Sequence, residues 1–220
     1  MARLALAWIS AALLSLVPVT ILLQGAFPLF TVLWLVVPLV VLLRTHNASS
    51  LGIRPVPWRT LVAVTMLNLA GLLVLYALCE SWSQAYAALI HRVLARKPVD
   101  VTFGWLVRVA GVGGWTGMLL MSGLVTIFAE ELFFRGWLLL SLRRRMSPLR
   151  ANVLQATLFT IPQSLAAIVI SGTQGLVYAV VYSWLANGMV GGWAALHTRS
   201  IWPSLISATL CNFMLTAWLR

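Results

Sequence analysis

Long apolar runs separated by short polar segments dominate the chain. A transmembrane helix needs about 20 predominantly apolar residues to cross the hydrocarbon core of a bilayer. The runs that meet or approach this length are Leu4–Leu23, Pro28–Leu43, Thr60–Cys79, Gly113–Leu142, Ala151–Ile170, Gln174–Leu196 and Ser200–Leu219. The pattern therefore predicts an all-α, polytopic transmembrane helix bundle of about seven spans, with residues 1–220 forming a single integral membrane domain.

The polar segments between these runs differ in length. The loop Arg44–Arg59 contains two prolines that stop a helix. The longest connection is Glu80–Val112, and its stretch Ser81–Ala95 mixes apolar and polar residues. We expect this stretch to lie along the membrane interface as an amphipathic helix. The segment Leu4–Gln24 begins like a signal peptide, but it has no clear cleavage site and more spans follow it, so we expect it to be the first helix.

Composition and charge agree with a membrane protein. Hydrophobic residues make up 61% of the chain and charged residues 9%, and the mean hydropathy is +0.97. A soluble domain has about 25% charged residues. The net charge of +11 would suggest nucleic-acid binding in a soluble protein. Here most arginines lie in short loops between apolar runs, so we expect the lipid bilayer as partner and no nucleic acid.

The basic residues also predict an orientation, because cytoplasmic loops carry an excess of Lys and Arg. With the N-terminus inside, the cytoplasmic arginines are Arg3, Arg44, Arg54, Arg59, Arg143, Arg144, Arg145, Arg150 and Arg199. The basic residues on the other side are Arg92, Arg96, Lys97, Arg108 and Arg220. We therefore expect a multi-pass protein of the bacterial cytoplasmic (inner) membrane with its N-terminus inside.

The fourth predicted span contains the ionisable residues that are the best candidates for a functional site. Two of the four acids in the chain, Glu130 and Glu131, are adjacent there, and Arg135 follows. An ionisable group at the bilayer centre costs roughly 3 kcal/mol and usually marks a functional site. Glu131 and Arg135 have the i, i+4 spacing of an ion pair on one helix face. Glu130 points about 100° away around an α-helix, so it is free to face another neighbour. The alternative to a functional site is that all three residues only hold helices together.

Polar residues of three spans are expected at a common depth. Glu131, Gln163 and Asn212 each lie twelve residues from the predicted cytoplasmic end of their helix. At 1.5 Å per residue this places all three about 18 Å from that end. The arrangement predicts a polar site inside the bundle, although Asn and Gln also form interhelical hydrogen bonds without further function.

The order of these residues resembles the order of motifs in the CPBP family. That family comprises CAAX-type prenyl proteases and bacteriocin-processing enzymes. The segment Phe128–Leu138 contains Glu-Glu-x-x-x-Arg followed by Gly, like the first motif of that family. Phe159–Gln163 stands where the family has Phe-x-x-x-His, and Ala208–Asn212 stands where it has a closing His-x-x-x-Asn. The loop Leu51–Arg54 also looks like the region ahead of the family core.

The resemblance covers residues 104–220 well and residues 1–103 loosely. It implies an intramembrane endopeptidase in which the first Glu and the second-motif His activate a water, while the second Glu and the Arg organise the site. The final His and Asn stabilise the oxyanion, and neither a cofactor nor a metal is firmly required. Carried over to this chain, the catalytic positions are Glu130, Glu131, Arg135, Gln163 and Asn212.

Both family histidines are replaced, by Gln163 and Ala208. Glutamine can hold a water but cannot take its proton, and the loss of a general base costs about 10²–10⁴ in rate. Alanine offers no oxyanion donor, which costs about a further 10²–10³. The histidines that remain, His46, His91 and His197, lie in loops or at the end of a span, and we expect them to be interfacial.

Two functions stay open at this point. The first is a catalytically impaired relative of the family that serves as a binding or structural subunit, in contact with other membrane proteins of a larger complex. The second is an active intramembrane protease that cleaves peptide bonds near the membrane with Glu130 as the water-activating base. A transporter would also use intramembrane charges, but the chain lacks the inverted repeat typical of transporters.

Small residues within the spans predict packing rather than chemistry. Gly113–Gly117 and Gly188–Gly192 have the G-x-x-x-G spacing that allows helices to approach closely. Cys79 and Cys211 both lie in apolar runs. We expect them to be packing residues and not a disulfide or a metal site.

Overall fold

Helices make up all the regular structure of the described residues. The computed structural model describes residues 28–79 and 127–218. Its helices are α1 (Pro28–Thr45), a 3₁₀ turn (Ala48–Leu51), α2 (Trp58–Ala77), α3 (Phe128–Glu130, Glu131–Leu139 and Leu140–Arg143 in succession), α4 (Pro148–Ser171), α5 (Thr173–Tyr178, Ala179–Val190 and Gly191–Thr198 in succession) and α6 (Trp202–Trp218). The all-α prediction is confirmed for these ranges. The predicted first span, the Ser81–Ala95 segment and Gly113–Gly117 lie outside them.

The helices coincide closely with the predicted spans that fall on described residues. By length and composition, one described helix, Trp58–Ala77, is suited to cross a membrane, with a mean hydropathy of 2.0. Trp34–Thr45 is a shorter apolar helical stretch. The number of seven membrane crossings therefore stays a prediction.

The middle segments of α3 and α5, Glu131–Leu139 and Ala179–Val190, are π-helical. π-helical turns are rare and occur frequently at functional sites. Their wider turn changes the angle between successive side chains, so the offset of about 100° expected between Glu130 and Glu131 on an α-helix does not apply unchanged. These two segments are also the ones that meet at the buried arginine described below.

Three apolar clusters hold the described helices and loops together, and the smallest joins Leu51, Leu132 and Ile201. The first joins α1, α3 and α4 through aromatic rings. Phe134 packs edge-on against Trp34 and Phe159, with ring centroids 5.7 and 5.2 Å apart, which is a favoured geometry for aromatic pairs. The second cluster joins α2, α5 and α6 and includes Cys79 and Cys211. Both cysteines are buried and free, which confirms their prediction as packing residues.

α5 lies at the centre of the described bundle and contacts α2, α3, α4 and α6. Its small residues allow this close packing. A Cβ atom on Gly188 would lie 2.7 Å from the Cβ atom of Ala156 in α4, and one on Gly192 would collide with the side-chain oxygen of Asn152. The close approach predicted from Gly188–Gly192 is thereby confirmed.

The loop after α1 ties α3 to the turn between α5 and α6. Gly52 has a left-handed φ of 71°, which glycine adopts at little cost. Its carbonyl accepts a hydrogen bond from the Ile201 amide at 3.0 Å, and the Ser200 hydroxyl donates to the Arg54 carbonyl at 3.0 Å. On the other side of the loop, a Cβ atom on Gly136 of α3 would lie 2.5 Å from the Leu51 carbonyl oxygen.

We predict that Gly136→Ala destabilises the protein by about 1–3 kcal/mol, because the added methyl group meets backbone that cannot rotate away. Thermal unfolding of the full chain in detergent measures the effect. Gly71→Ala is the matched control, since its Cβ atom would make an ordinary contact at 3.9 Å with Val190. Equal unfolding temperatures for the two variants would contradict the close docking of the loop on α3.

Candidate functional site

Glu131 and Arg135 of α3 form an ion pair inside the bundle. The Glu131 Oε1 and Arg135 Nη1 atoms are 3.4 Å apart. The two side chains are only 3% and 1% exposed. The pair predicted from the i, i+4 spacing is thus present, and it is shielded from the surroundings of the bundle. A buried pair is tolerable only when further polar contacts satisfy it.

The second oxygen of Glu131 receives a hydrogen bond from α6. The Ser204 hydroxyl donates to Glu131 Oε2 at 2.5 Å, the short distance typical of a hydroxyl bound to a carboxylate. Ser204 is itself buried in the first turns of α6. Both carboxylate oxygens of Glu131 are therefore engaged by protein groups.

Arg135 reaches α5 through Nη2 and α4 through the face of its guanidinium. Its Nη2 donates to the Asn187 carbonyl of α5 at 2.7 Å. Its Cζ lies 4.1 Å from the centre of the Phe159 ring of α4, within range of a cation–π contact. Its buried Nε and Nη1 atoms donate no hydrogen bond to a described residue. Gly191 makes room for this geometry, because a Cβ atom there would lie 3.3 Å from Nη2. A single arginine of α3 thus bonds or packs against two other helices.

A chain of polar groups continues from the ion pair to α2. The Ser207 hydroxyl donates to the Ser204 carbonyl at 3.0 Å, and the Asn68 amide donates to the Ser207 hydroxyl at 2.6 Å. Asn68 is 1% exposed and Ser207 is fully buried. Interhelical hydrogen bonds of this kind stabilise helix pairs in an apolar environment. The site therefore connects α2 to α3 through α6.

Glu130, Ala208 and Asn212 are more exposed than the ion pair. Glu130 is half-buried, and its carboxylate accepts no hydrogen bond from any described residue. Ala208 is half-buried and Asn212 is exposed on α6. Gln163 lies within α4, and its side chain is outside the described part of the structure. The structure thus brings together Glu131, Arg135 and Phe159, and it leaves Glu130 beside them with a free carboxylate among the described residues.

Sequence reasoning missed three contributors to the site: Ser204, the Asn187 carbonyl and Gly191. Ser200, Ser204 and Ser207 recur at helical spacing in the last span, and this periodicity indicates one polar helix face. Ser204 could have been found from that signal. The Asn187 carbonyl could not, because its contribution is a backbone atom and is independent of residue type.

Potential metal ligands do not gather in the described residues. No group of three or more His, Cys, Asp or Glu side chains in that part of the chain is placed to hold a metal ion. His46 and His197 are exposed, and His197 stacks on Trp193 with ring centroids 5.2 Å apart. His91 lies outside the described residues.

Comparison with known proteins agrees with the resemblance seen in the motifs. Residues 112–214 match the family model described as type II CAAX prenyl endopeptidase, Rce1-like. This range includes the Glu-Glu-Arg segment and both later motif positions. No curated protein and no solved structure matches the chain.

We predict that Arg135→Ala lowers the stability by about 3–5 kcal/mol, because it strands the buried Glu131 carboxylate. Folded yield after membrane extraction and thermal unfolding in detergent both measure the loss. Arg150→Ala, which removes an exposed arginine, is the control and should behave like wild type. An Arg135→Ala protein as stable as this control would show that the pair does not hold the bundle.

We also predict that Ser204→Ala lowers the stability by about 1.5–3 kcal/mol, less than Arg135→Ala, because the variant deletes one hydrogen bond to a charged group. Ser141→Ala, at a half-buried helical position of α3, provides the matched control. If Ser204→Ala unfolds at the control temperature, the contact with Glu131 contributes nothing measurable to stability.

Proposed function

We propose, on the premise that residues 112–214 match the Rce1-like family model, that the chain is a membrane-embedded relative of the intramembrane endopeptidases. It acts as a binding or structural subunit and has little or no proteolytic activity. The family match supports the relationship to endopeptidases. The loss of activity and the role as a subunit are our inference. The observation that carries it is the pairing of an intact, packed Glu131–Arg135 site with the replacement of both motif histidines.

A membrane location is supported by the outer surface of the helices. Many large apolar side chains are exposed on α1, α2 and α5, including Leu43 (62%), Leu67 (58%), Val74 (60%) and Val180 (59%). Water-soluble monomers rarely expose contiguous apolar patches of this kind. We propose that lipid or neighbouring membrane proteins cover these faces, and that the chain crosses the bacterial inner membrane about seven times with its N-terminus inside.

The proposed impairment rests on proton chemistry. Hydrolysis of a peptide bond requires a group that takes a proton from water and returns one to the leaving amine. Gln163 cannot do this, and the Ala208 methyl cannot donate a hydrogen bond to an oxyanion. The Glu131 carboxylate is engaged on both oxygens by Arg135 and Ser204. These contacts suit it to hold helices together rather than to activate water.

The alternative is an active intramembrane protease, and one observation favours it. The Glu130 carboxylate is half-buried beside the ion pair and accepts no hydrogen bond from a described residue. It is therefore available to bind a water. In that case Glu130 alone serves as general base, and Asn212 is the remaining candidate to stabilise the oxyanion.

A proteolysis assay separates these functions. The full chain is reconstituted in liposomes and incubated with a farnesylated peptide that ends in a CAAX sequence, the substrate type named by the family. We expect no cleavage by wild type. The double variant Gln163→His with Ala208→His should gain measurable cleavage, because it restores a proton acceptor and an oxyanion donor, which together change rates by about 10⁴ or more.

Glu130→Gln is the matched control for the alternative, since it keeps the shape of the side chain and removes its basicity. We expect it to fold like wild type, because no described residue depends on its charge for a hydrogen bond. Robust cleavage by wild type that Glu130→Gln abolishes would refute the pseudoenzyme and establish the active protease. Failure of the restored double variant to cleave, with its fold intact, would mean that the replaced histidines are not what limits activity.

A further inference from the structure

Four arginines from three separate segments of the chain converge on one cavity at the end of the bundle. The cavity has a volume of about 350 Å³, which falls within the range of about 300–1,000 Å³ typical of ligand pockets. Its lining residues come from the loop after α1, the C-terminal end of α3 and the turn between α5 and α6: Ser49, Ser50, Arg54, Leu140, Arg143, Arg144 and Arg199. All four arginines belong to the set that the orientation rule assigns to the cytoplasmic side.

The described residues do not neutralise this charge. The acids among the described residues are Glu130 and Glu131, and neither lines the cavity. None of the four arginines forms an ion pair with a described residue. The C-terminal ends of α3 and α5 lie nearby, but each helix end carries only about half a negative charge. Two helix ends therefore offset about one of the four positive charges.

Arg199 lies directly after the last residue of α5 and lines the cavity. Its backbone is left-handed, with φ 53° and ψ 30°, a conformation that glycine and asparagine adopt far more readily than a long side chain. A left-handed residue commonly ends an α-helix. Arg199 therefore terminates α5 at the turn that lines the cavity.

Membrane orientation alone does not explain the arrangement. The positive-inside rule requires arginines on one side of the membrane but does not require them to line a common cavity. Arg145 and Arg150 follow the same bias, and both are exposed outside the cavity. Arg54 is also held in place, because its Nε donates to the Ser49 carbonyl at 3.2 Å.

We propose that this cavity binds a phosphate-bearing anion. Guanidinium groups donate paired hydrogen bonds to phosphate oxygens, a geometry that a lysine cannot match. Ser49 and Ser50 belong to the same lining, but their hydroxyl groups donate to the side chain and carbonyl of Asn47, so the arginines carry the proposed contact. Basic pockets at the cytoplasmic face of membrane helices bind anionic lipid headgroups, and free inorganic phosphate offers the same chemistry. The site is independent of the Glu131–Arg135 pair and of any proteolytic activity.

The test uses the full chain, purified in detergent and stripped of bound lipid. Dioleoylphosphatidylglycerol, which is anionic, and dioleoylphosphatidylcholine, which is zwitterionic, are titrated separately, and bound lipid is measured by native mass spectrometry. Sodium phosphate is then added as a competitor, with sodium chloride at equal ionic strength as its control. The pocket variant is Arg143→Gln with Arg199→Asn, and the charge-matched control is Arg145→Gln with Arg150→Gln.

We expect wild type and the charge-matched control to bind phosphatidylglycerol in preference to phosphatidylcholine. The pocket variant should bind phosphatidylglycerol at least about tenfold more weakly, a change of 1.4 kcal/mol. Its fold should be preserved, because asparagine tolerates the left-handed backbone at position 199. Arg144→Gln, at an exposed position, is a second pocket variant whose folding is not in question, and it should also weaken binding.

The competitor identifies the source of the phosphate group. Displacement of lipid by sodium phosphate but not by sodium chloride would assign the site to a free phosphate ion, and retention of lipid would assign it to a phospholipid headgroup. The proposal would be overturned if phosphatidylglycerol binding weakened equally in the pocket variant and the charge-matched control, because general surface charge would then explain binding. Equal binding of the two lipids, without competition by phosphate, would overturn it as well.

Discussion

The ion pair between Glu131 and Arg135 is the constraint on which the described structure depends. A carboxylate and a guanidinium buried among apolar helices are destabilising unless their remaining bonding groups find partners. Here Ser204 of α6 and the Asn187 carbonyl of α5 bond to the pair, and Phe159 of α4 covers the cation. Arg135 Nε and Nη1 donate no hydrogen bond to a described residue. The crossing points of these helices are therefore set by polar geometry, and the apolar clusters fill the space around them.

The contacts of Glu131 and Arg135 give the pair a structural role that does not depend on catalysis. Glu131 and Arg135 hold helices together whether or not a water is activated beside them. Ala208 lies half-buried on α6, and the side chain of Gln163 lies outside the described part of the structure.

The two polar regions of the described structure differ in whether their charges are paired. In the interior, every charge of the ion pair is matched, because an unpaired charge in an apolar environment is costly. At the end of the bundle, four arginines are unmatched by described acids: Arg54, Arg143, Arg144 and Arg199. Positive charge is tolerated outside an apolar interior. The loop from Leu51 to Arg54 connects these regions, since it packs on Gly136 of α3 and bonds to the turn before α6.

The sequence by itself determined the helical class, the approximate helix bounds and the pairing of Glu131 with Arg135, because apolar periodicity and i, i+4 spacing are local properties of the chain. It also singled out the replaced histidines. Only the tertiary structure decided that Ser204 binds Glu131, that a backbone carbonyl of α5 binds Arg135, and that four arginines from three separate segments share one cavity. These contacts depend on how helices cross and on π-helical turns, and neither is encoded in the spacing of residues along one segment.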